Sequence, residues 1–566
     1  MQKLKKIVAD EIEKITLGAV KSDEIVSSLA YPPDDSMGDL ALPCFKFAKV
    51  MRKSPVMIAD SLAKEINLDC IEKVEAVNGY LNFFISKKYW IGSLIPEILS
   101  KGEEFGKNDE GKGKRAVFDY SSPNLCKPFH VGHLRSTIIG HSLKKIYEFC
   151  GWDCVGINHL GDWGTQFGKQ IAAYRMCGNR EDVERDGVDA LTKLYVRYNN
   201  EAAENPALVD LAREESHKLE MGDPENTELW KWFVSVSLAE CEKTYKQLGV
   251  TFDSYAGEAF YTDKMDAEVQ KMRDADILKL DDGATIVDLS EYKMPPCLIL
   301  RSDGSTLYPT RDIAAAVYRK NTYNFDKCLY VTAYQQCLHF AQWFKVIELM
   351  GYDFADGLVH VPYGMVSCGG AKLATRTGNV VLIKDLTTAA VAKVKEVMKE
   401  KNPDLADLDE TAQAVGVGAI VFYFLLGGRI KDIDFNMDDA LSFEGNTGPY
   451  AQYSYARCCS ILEKLGSYAE NTAEMELTEK DEEVLSRTLA KFSESVSLAA
   501  SENEPSVVTR YILDLCADFN RFYHSCPILS VSDENVKAAR VALVKATKTV
   551  LGSALQLICM KTPSKI

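Results

Sequence analysis

Two histidines three residues apart form the part of the sequence best suited to chemistry. His130 and His133 lie in the segment 118–137, FDYSSPNLCKPFHVGHLRST, with Gly132 between them. The segment begins at the end of a β pattern and passes into an amphipathic helix pattern. A helix N-terminus presents free N–H groups and the positive end of its dipole to an anion. Because the spacing brings both rings to one side of the first turn, the pattern indicates an anion-binding site.

Two alternatives stay open on this fragment alone. The histidines could bind a metal, although no cysteine or carboxylate stands at ligand spacing beside them. They could also be ordinary residues that cap a helix. The elements around them must decide between these possibilities.

The composition predicts a multidomain protein. At 566 residues the chain should divide into about three or four domains. The N-terminal segment is charged and helical in pattern, so we read no signal peptide, and no uninterrupted apolar run approaches the length of a membrane span. The sixteen cysteines form no CxxC motif, which favours buried free thiols in the cytoplasm.

A net charge of −16 argues at first sight against a nucleic-acid partner. Binding depends on local charge, however, and the C-terminal stretch 536–566 is basic without any acidic residue. This stretch is either a phosphate-facing surface or a merely solvated basic helix. Its cations are Lys537, Arg540, Lys545, Lys548, Lys561 and Lys565.

The histidine segment resembles a known family. Ser122-Pro123-Asn124, Lys127 and the His130–His133 motif are similar to the "HIGH" region of class I aminoacyl-tRNA synthetases, and the form SSPN…KPFHVGHLRSTIIG is similar to arginyl-tRNA synthetases in particular. The alternation of β and helical patterns from Ala116 to about Ala390 agrees with a doubly wound α/β domain. The expected fold class is multidomain: an α/β Rossmann-like catalytic domain of the class I type, an N-terminal α+β domain and a C-terminal all-α anticodon-binding domain.

We place the domain boundaries by pattern and resemblance together. The N-terminal domain is predicted at 1–105 and the catalytic domain at 110–395. A largely helical insertion is expected within the catalytic domain at about 180–290. The anticodon-binding domain is predicted at 410–566, with a helical pattern throughout.

The N-terminal domain carries the motifs GDLALPCF and NGYLNFF, which resemble the family's tRNA-contacting domain. The resemblance implies that Asn78, Tyr80 and Asn82 contact the D-loop at the outer corner of the tRNA. An aromatic ring beside amide groups suits stacking on an unpaired base. Alternatively, Tyr80 packs in the core and Asn78 only forms a turn.

The resemblance also implies the catalytic and ATP-binding groups. His130, Gly132 and His133 would bind the phosphates, with Lys127 as a further cation. The loop 367–385 stands in the place of the family's mobile "KMSKS" loop, where Lys372 and Arg376 are the candidate cations. This motif is degenerate, because the usual second lysine is missing. Lys127 is in position to compensate, and the alternative is a surface loop without a catalytic part.

The family's arginine pocket maps onto residues that follow predicted strands. Asp119, Tyr308 and Asp312 would receive the guanidinium, with Pro309 in the first turn of the helix that carries the last two. The α-amino and carboxylate groups of the substrate would be held by Ser122, Asn124, His133 and Gln336. Each of these alone could be a simple buried hydrogen-bonding residue.

The C-terminal domain begins its main helix with NTGPYAQYSYARCC. By resemblance, Tyr450, Tyr453 and Arg457 would bind the anticodon, because aromatic rings interleaved with Arg can stack on splayed bases. Tyrosines at this spacing could equally belong to the core.

The expected function is ligation of L-arginine to its cognate tRNA(Arg) through an arginyl-adenylate. ATP is the second substrate and Mg²⁺ accompanies it. No structural metal and no membrane partner are expected, and the chain should be a cytoplasmic monomer. Two alternatives remain: a tRNA-binding paralogue that has lost catalysis, and a synthetase for another amino acid.

Overall fold

The computed structural model describes residues 1–368, 371–372, 381–403, 405–466 and 475–566. The N-terminal part is an α+β unit. Its helices are α1 (Gln2–Ile15), α2 (Ser22–Ser28), α3 (Ala48–Met51), α4 (Pro55–Glu65), α5 (Lys87–Tyr89) and α6 (Ile95–Lys101), and its strands are β1 (Leu40–Pro43), β2 (Ile71–Val77) and β3 (Tyr80–Ile85).

The three N-terminal strands form an antiparallel sheet in the order β1-β3-β2. The predicted turn at Asn78-Gly79 joins β2 to β3, and both residues have positive φ angles, 50° and 83°. Two consecutive left-handed residues match the twist of a tight hairpin, which is why Asn-Gly is favoured there. The predicted turn is confirmed.

The central part contains the largest parallel sheet. Its elements are β4 (Arg115–Asp119), α7 (Val131–Phe149), β5 (Asp153–Ile157), α8 (Thr165–Cys177), α9 (Arg180–Asp186), α10 (Val188–Glu204), α11 (Pro206–Glu220), α12 (Pro224–Leu248), α13 (Met265–Asp274), β6 (Leu278–Asp281), β7 (Ala284–Val287), β8 (Cys297–Leu300), α14 (Tyr308–Tyr323), β9 (Lys327–Ala333), α15 (Cys337–Leu349), β10 (Leu358–Tyr363), β11 (Val366–Cys368), β12 (Ala371–Lys372) and α16 (Ile383–Lys401).

Four parallel strands run in the order β10-β9-β4-β5. From β4 the chain passes through α7 to β5 on one side, and later returns on the other side with β9 and β10. The carboxyl ends of β4 and β9 therefore meet at the switch point of the sheet, where open α/β sheets bind ligands. The predicted Rossmann-like architecture is confirmed.

The segment predicted as a largely helical insertion is mainly helical but also contains two strands that were not predicted. Helices α9 to α13 occupy most of it, but β6 and β7 form a hairpin that β8 extends into an antiparallel sheet. Asp282 and Gly283 form the turn with φ angles of 46° and 79°. An Asp-Gly pair between alternating apolar residues is a hairpin signal that outweighs the helical character of the preceding segment.

The C-terminal part is mainly helical. Its elements are α17 (Leu408–Leu426), β13 (Ile433–Phe435), α18 (Met437–Leu441), α19 (Gly448–Leu465), α20 (Lys480–Ala490), α21 (Phe492–Glu502), α22 (Ser506–Ser525) and α23 (Glu534–Leu557). The expectation of helix throughout is wrong at β13, which pairs in parallel with β11. Pairing with β11 satisfies the backbone hydrogen-bonding groups of this short segment and so holds it in an extended conformation.

The C-terminal basic stretch is partly structural. Arg540 on α23 is buried, and its Nε lies 2.6 Å from a carboxylate oxygen of the buried Glu482. This guanidinium is thus committed to the helical core. Fifteen of the sixteen cysteines are free thiols, and all of these fifteen but Cys337 are at least partly buried.

Helix α17 is long and apolar enough to cross a membrane by length and composition alone, and no other described helix is. Its most apolar window is 72% buried inside the protein. Such burial is typical of the core helix of a globular domain.

Helix α7 connects the central part to the C-terminal part. Fifteen of its nineteen residues are buried. The Ser142 hydroxyl donates to the Leu557 carbonyl on α23 at 2.9 Å, and the Tyr147 hydroxyl donates to Asn503 between α21 and α22 at 2.7 Å. The position of the histidine segment is therefore fixed by contacts with the C-terminal helices as well as with the sheet.

Gly140 on α7 tests how tightly this helix packs. A Cβ at this position would lie 2.2 Å from the Cβ of Tyr120, just beyond β4. Ala gains roughly 1 kcal/mol over Gly in a helix, but overpacking costs about 1–3 kcal/mol. We therefore expect Gly140→Ala to lower the thermal midpoint by a few degrees. Gly92→Ala is the control, because nothing lies within 4 Å of its added Cβ. An unchanged midpoint for Gly140→Ala would contradict the tight packing.

Candidate active site

A cavity of about 740 Å³ opens at the carboxyl ends of β4 and β9. It lies where the strand order reverses, and helices α8 and α10 form part of its wall. Most of the predicted substrate-binding residues line it, although they span more than 200 positions of sequence. These residues are Asp119, Ser122, Asn124, Lys127, His133, Tyr308, Asp312 and Gln336.

The two histidines cap helix α7 and leave one ring nitrogen each for another task. The Nδ1 of His130 accepts the Gly132 N–H at 3.1 Å, and the Nδ1 of His133 accepts the His130 N–H at 3.3 Å. With Nδ1 as acceptor, a neutral ring carries its proton on Nε2. Burial lowers the pKa of His130 to about 4 and the pKa of His133 well below its ordinary value. Both rings are therefore neutral Nε2–H donors near neutral pH.

The histidine rings stack with their centroids 3.9 Å apart, and a Cβ on Gly132 would come within 2.9 Å of the His130 ring. Only glycine leaves this stack undisturbed. His133 lines the cavity, whereas His130 and Gly132, at the same helix start, are not among the lining residues. Both histidines therefore cap the helix, as one of the two alternatives proposed. The capping contacts use Nδ1 of each ring and leave Nε2 unused.

Asp119 ends β4 and is buried with two partners. One carboxylate oxygen lies 2.8 Å from Nη2 of Arg319, and the other accepts the Ser122 hydroxyl at 2.8 Å. Arg319 comes from α14 and is itself fully buried. Sequence reasoning missed Arg319, because nothing in its local pattern indicates a partner two hundred residues away.

Asp312 and Tyr308 lie one turn apart at the start of α14, as predicted. Tyr308 is 67% exposed, and its ring forms part of the cavity mouth. A carboxylate oxygen of Asp312 lies 2.6 Å from Nε2 of His339 on α15. His339 also lines the cavity and was not predicted from the sequence.

Glu258 is a third carboxylate in this cavity, and sequence reasoning missed it as well. It begins a short 3₁₀ helix between α12 and α13, and its Oε2 lies 2.7 Å from Nη1 of Arg311. Burial raises the pKa of Glu258 to about 7 despite this ion pair. A buried acid in a cavity is a recognised mark of a functional site.

The remaining predicted ligands also belong to the cavity wall. Asn124 and Gln336 are exposed at the cavity surface, and Lys127 is half-buried. The Lys127 ammonium lies 5.9 Å from the centre of the Tyr195 ring. Lys169, which donates to Asn199 at 3.0 Å, is a second cation on this wall that the sequence did not reveal.

The degenerate loop is only partly placed. Arg376 lies outside the described residues, and Lys372 belongs by its backbone to β12, opposite Ser367 on β11. Arg135 on α7 ties the base of this loop to the histidine helix: its guanidinium donates to the carbonyls of Gly364 and Lys431, each at 2.6 Å.

The three residues predicted to bind the anticodon lie together on the C-terminal domain. Tyr450, Tyr453 and Arg457 line a cavity of about 490 Å³ on α19. Tyr453 is 42% exposed, and the Arg457 guanidinium lies 5.0 Å from its ring centre. The Tyr450 hydroxyl accepts a hydrogen bond from Asn520 at 2.8 Å, so this ring is held in place.

The N-terminal candidates divide into two groups. Asn78 and Tyr80 are exposed at the hairpin turn, and the Tyr80 ring meets Phe45 edge-on at 5.2 Å. Asn82, in contrast, is only 6% exposed, because it lies on the central strand between Ala41 and Glu75. The expectation that all three side chains are accessible to RNA therefore does not hold for Asn82.

Comparison with known families accounts for nearly the whole chain. Residues 2–85 match the arginyl-tRNA synthetase N-terminal domain, residues 94–437 match the catalytic domain of class I tRNA synthetases of the arginine type, and residues 451–566 match the DALR anticodon-binding domain. The boundaries that we predicted between the domains stay predictions.

Similar proteins agree over the full length. The chain is 48% identical to arginine–tRNA ligase of Alkaliphilus metalliredigens, covering 100% of this chain and 99% of that one, and 47% identical to that of Clostridioides difficile, covering 99% of each. Its fold matches Thermus thermophilus arginyl-tRNA synthetase with a TM-score of 0.82 at 25% identity, each chain covered completely. The comparisons give no support to a non-catalytic paralogue. With the cavity built as described, the chain belongs to the arginyl-tRNA synthetases, the class I enzymes that ligate arginine to tRNA with ATP.

Proposed function

We propose that the cavity between β4 and β9 binds arginine through three carboxylates. Asp119, Glu258 and Asp312 converge on it from three distant segments, and this convergence is the observation that supports the assignment. A planar guanidinium offers five donors in a fixed fork, which suits several carboxylates and a phenol at once. Tyr308 supplies the phenol at the mouth. A neutral amino acid would bring no cation to balance Asp312, whose protein partner is His339 rather than an arginine, and a site of this kind rejects such a substrate strongly.

The α-amino and carboxylate end of arginine is assigned to other polar residues that line the cavity. Asn124 and Gln336 would hold the α-amino and carboxylate groups, with Ser122 and His133 beside them. Ser122 already donates to Asp119, so it links the two ends of the amino-acid site. This arrangement would aim the substrate carboxylate toward the N-terminus of α7.

The phosphates of ATP are assigned to the start of α7. His130 and His133 would donate Nε2–H bonds next to Gly132, and Lys127, Lys372 and Arg376 would supply positive charge. An oxygen of the arginine carboxylate then bonds to the α-phosphorus as the bond from that phosphorus to diphosphate breaks. Such a reaction depends on positioning and charge stabilisation more than on covalent catalysis. Mg²⁺ would enter with ATP, bound mainly by phosphate oxygens.

Transfer of the arginyl group to the terminal ribose of tRNA(Arg) completes the reaction. We assign the tRNA contacts to Asn78 and Tyr80 at the outer corner, and to Tyr450, Tyr453 and Arg457 at the anticodon. Exposed rings beside amide and guanidinium groups can stack on unpaired bases and bond to their edges. We further infer that the enzyme acts as a cytoplasmic monomer.

Asp312→Asn tests the guanidinium assignment. The amide is isosteric but uncharged, so kcat/KM for arginine should fall by at least about a hundredfold, in the range for breaking a buried charged contact. The KM for ATP should stay within about twofold. Lys127→Ala is the contrasting variant: it should slow adenylate formation and leave the KM for arginine nearly unchanged. An unchanged kcat/KM for arginine in Asp312→Asn would refute the pocket.

The raised pKa of Glu258 predicts a pH dependence. Below about pH 7 this carboxyl takes up a proton and loses the charge that attracts the guanidinium. Because kcat/KM reports the free enzyme, its value for arginine should fall by roughly tenfold between pH 8 and pH 6. In Glu258→Gln the value should be lower but flat over this range. The pKa of His130, about 4, is too low to contribute. A flat wild-type profile would contradict the role of Glu258.

A further inference from the structure

We propose that His339 is a positioning residue that holds Asp312 in place for the substrate while leaving its negative charge available. This inference rests on the proposed function, since it takes Asp312 as a ligand of the arginine guanidinium. His339 lines the same cavity, on the first turn of α15.

The contact between the two side chains is short and directional. Nε2 of His339 lies 2.6 Å from a carboxylate oxygen of Asp312, and each side chain is 27% exposed. An ionised carboxylate only accepts hydrogen bonds, so the proton of this bond is on Nε2. A neutral imidazole can make this bond with Nδ1 unprotonated.

The wall behind the imidazole is built from aromatic and polar contacts. The ring of Phe340 meets His339 edge-on at 5.4 Å, and the same ring stacks on His360 at 4.4 Å. His360 is fixed in turn, because its Nε2 lies 2.8 Å from the hydroxyl of Thr332 on β9. Asp312 is thus connected through His339 and α15 to the strand end at the switch point.

The three carboxylates of the cavity differ in the charge of their partners. Asp119 is paired with Arg319 and Glu258 with Arg311, both guanidinium groups that stay charged at every relevant pH. Asp312 alone is paired with a side chain that can donate a hydrogen bond while neutral. The carboxylate of Asp312 therefore retains a negative charge that no protein cation in this ion-pair set offsets.

A neutral anchor at this position solves a specific problem. A lone aspartate on the helix would be free to adopt other rotamers, and an arginine or lysine partner would compete with the substrate cation for the same oxygens. An imidazole orients the carboxylate, and the second lone pairs of its oxygens stay available. The arriving guanidinium then completes the charge balance of the cavity.

Substitutions of His339 separate orientation from charge. His339→Gln keeps a neutral donor of similar reach, and His339→Lys adds a fixed cation. His339→Ala removes the anchor. The readouts are the KM values for arginine and ATP and kcat, all in tRNA aminoacylation by the full-length enzyme, with thermal midpoints as a check on folding.

We expect the KM for arginine to stay within about threefold in His339→Gln and to rise at least tenfold in His339→Lys, with the KM for ATP unchanged in both. His339→Ala should raise the KM for arginine by a few-fold, and His339→Gln should be the variant closest to wild type. His339→Arg is the second cationic variant should the lysine variant fail to fold.

Equal arginine KM values for the Gln and Lys variants would overturn the charge argument. A wild-type KM in His339→Ala would overturn the positioning role, as would a loss of kcat alone in all variants. Asp312→Asn distinguishes a failure of the pocket assignment from a failure of the role proposed for His339. If it leaves arginine kinetics unchanged, the pocket assignment itself fails. If it abolishes arginine use while the His339 variants behave alike, only the present inference fails.

Discussion

The burial of helix α7 is the constraint on which the rest of the structure depends. Its N-terminus carries His130 and His133, whose backbone and Nδ1 contacts leave two neutral donors at the head of the helix. Its middle carries Arg135, fully buried, which donates to main-chain carbonyls at the base of the degenerate loop. Its C-terminal half contacts the helices of the anticodon-binding domain. One rigid element therefore sets the relative positions of the phosphate-binding groups, the loop and the tRNA-binding domain.

A second principle governs the amino-acid end of the cavity: its carboxylates are held by the protein before the substrate arrives. Placing carboxylates in a partly buried site is costly unless each is paired or hydrogen-bonded. Arg319 and Arg311 provide that compensation for Asp119 and Glu258. The same arrangement makes the site selective, because an amino acid without a cationic fork cannot replace the interactions lost on desolvation.

Much of the architecture could be predicted from local patterns. The strand, loop and helix around His130 followed from periodicity, and the Asn78-Gly79 turn followed from the left-handed backbone that only a few residues adopt easily. The gathering of Asp119 and Asp312 in one cavity was implied by the family resemblance, and it agrees with the rule that ligands bind at strand ends. These signals are local, or they depend on a general property of parallel sheets.

The partners of the site residues could not be predicted, for a physical reason. Arg319, Glu258 and His339 owe their roles to tertiary pairing between distant segments, and their local sequence patterns are those of ordinary helix and turn residues. The burial of Asn82 likewise depends on which strand lies at the centre of its sheet. Strand β13 is too short to show a recognisable period-2 pattern in the sequence. Its pairing with β11, and not its local sequence, decides its conformation.

The central claim is that this cavity activates arginine with ATP for transfer to tRNA(Arg). Pyrophosphate–ATP exchange with arginine, measured with and without tRNA(Arg), tests it most directly. The account predicts arginine-dependent exchange that appears when tRNA is present, and no exchange with lysine or a neutral amino acid. Exchange in both samples would show that arginine activation does not require tRNA. Absence of exchange in both samples, with tRNA still bound, would contradict the account.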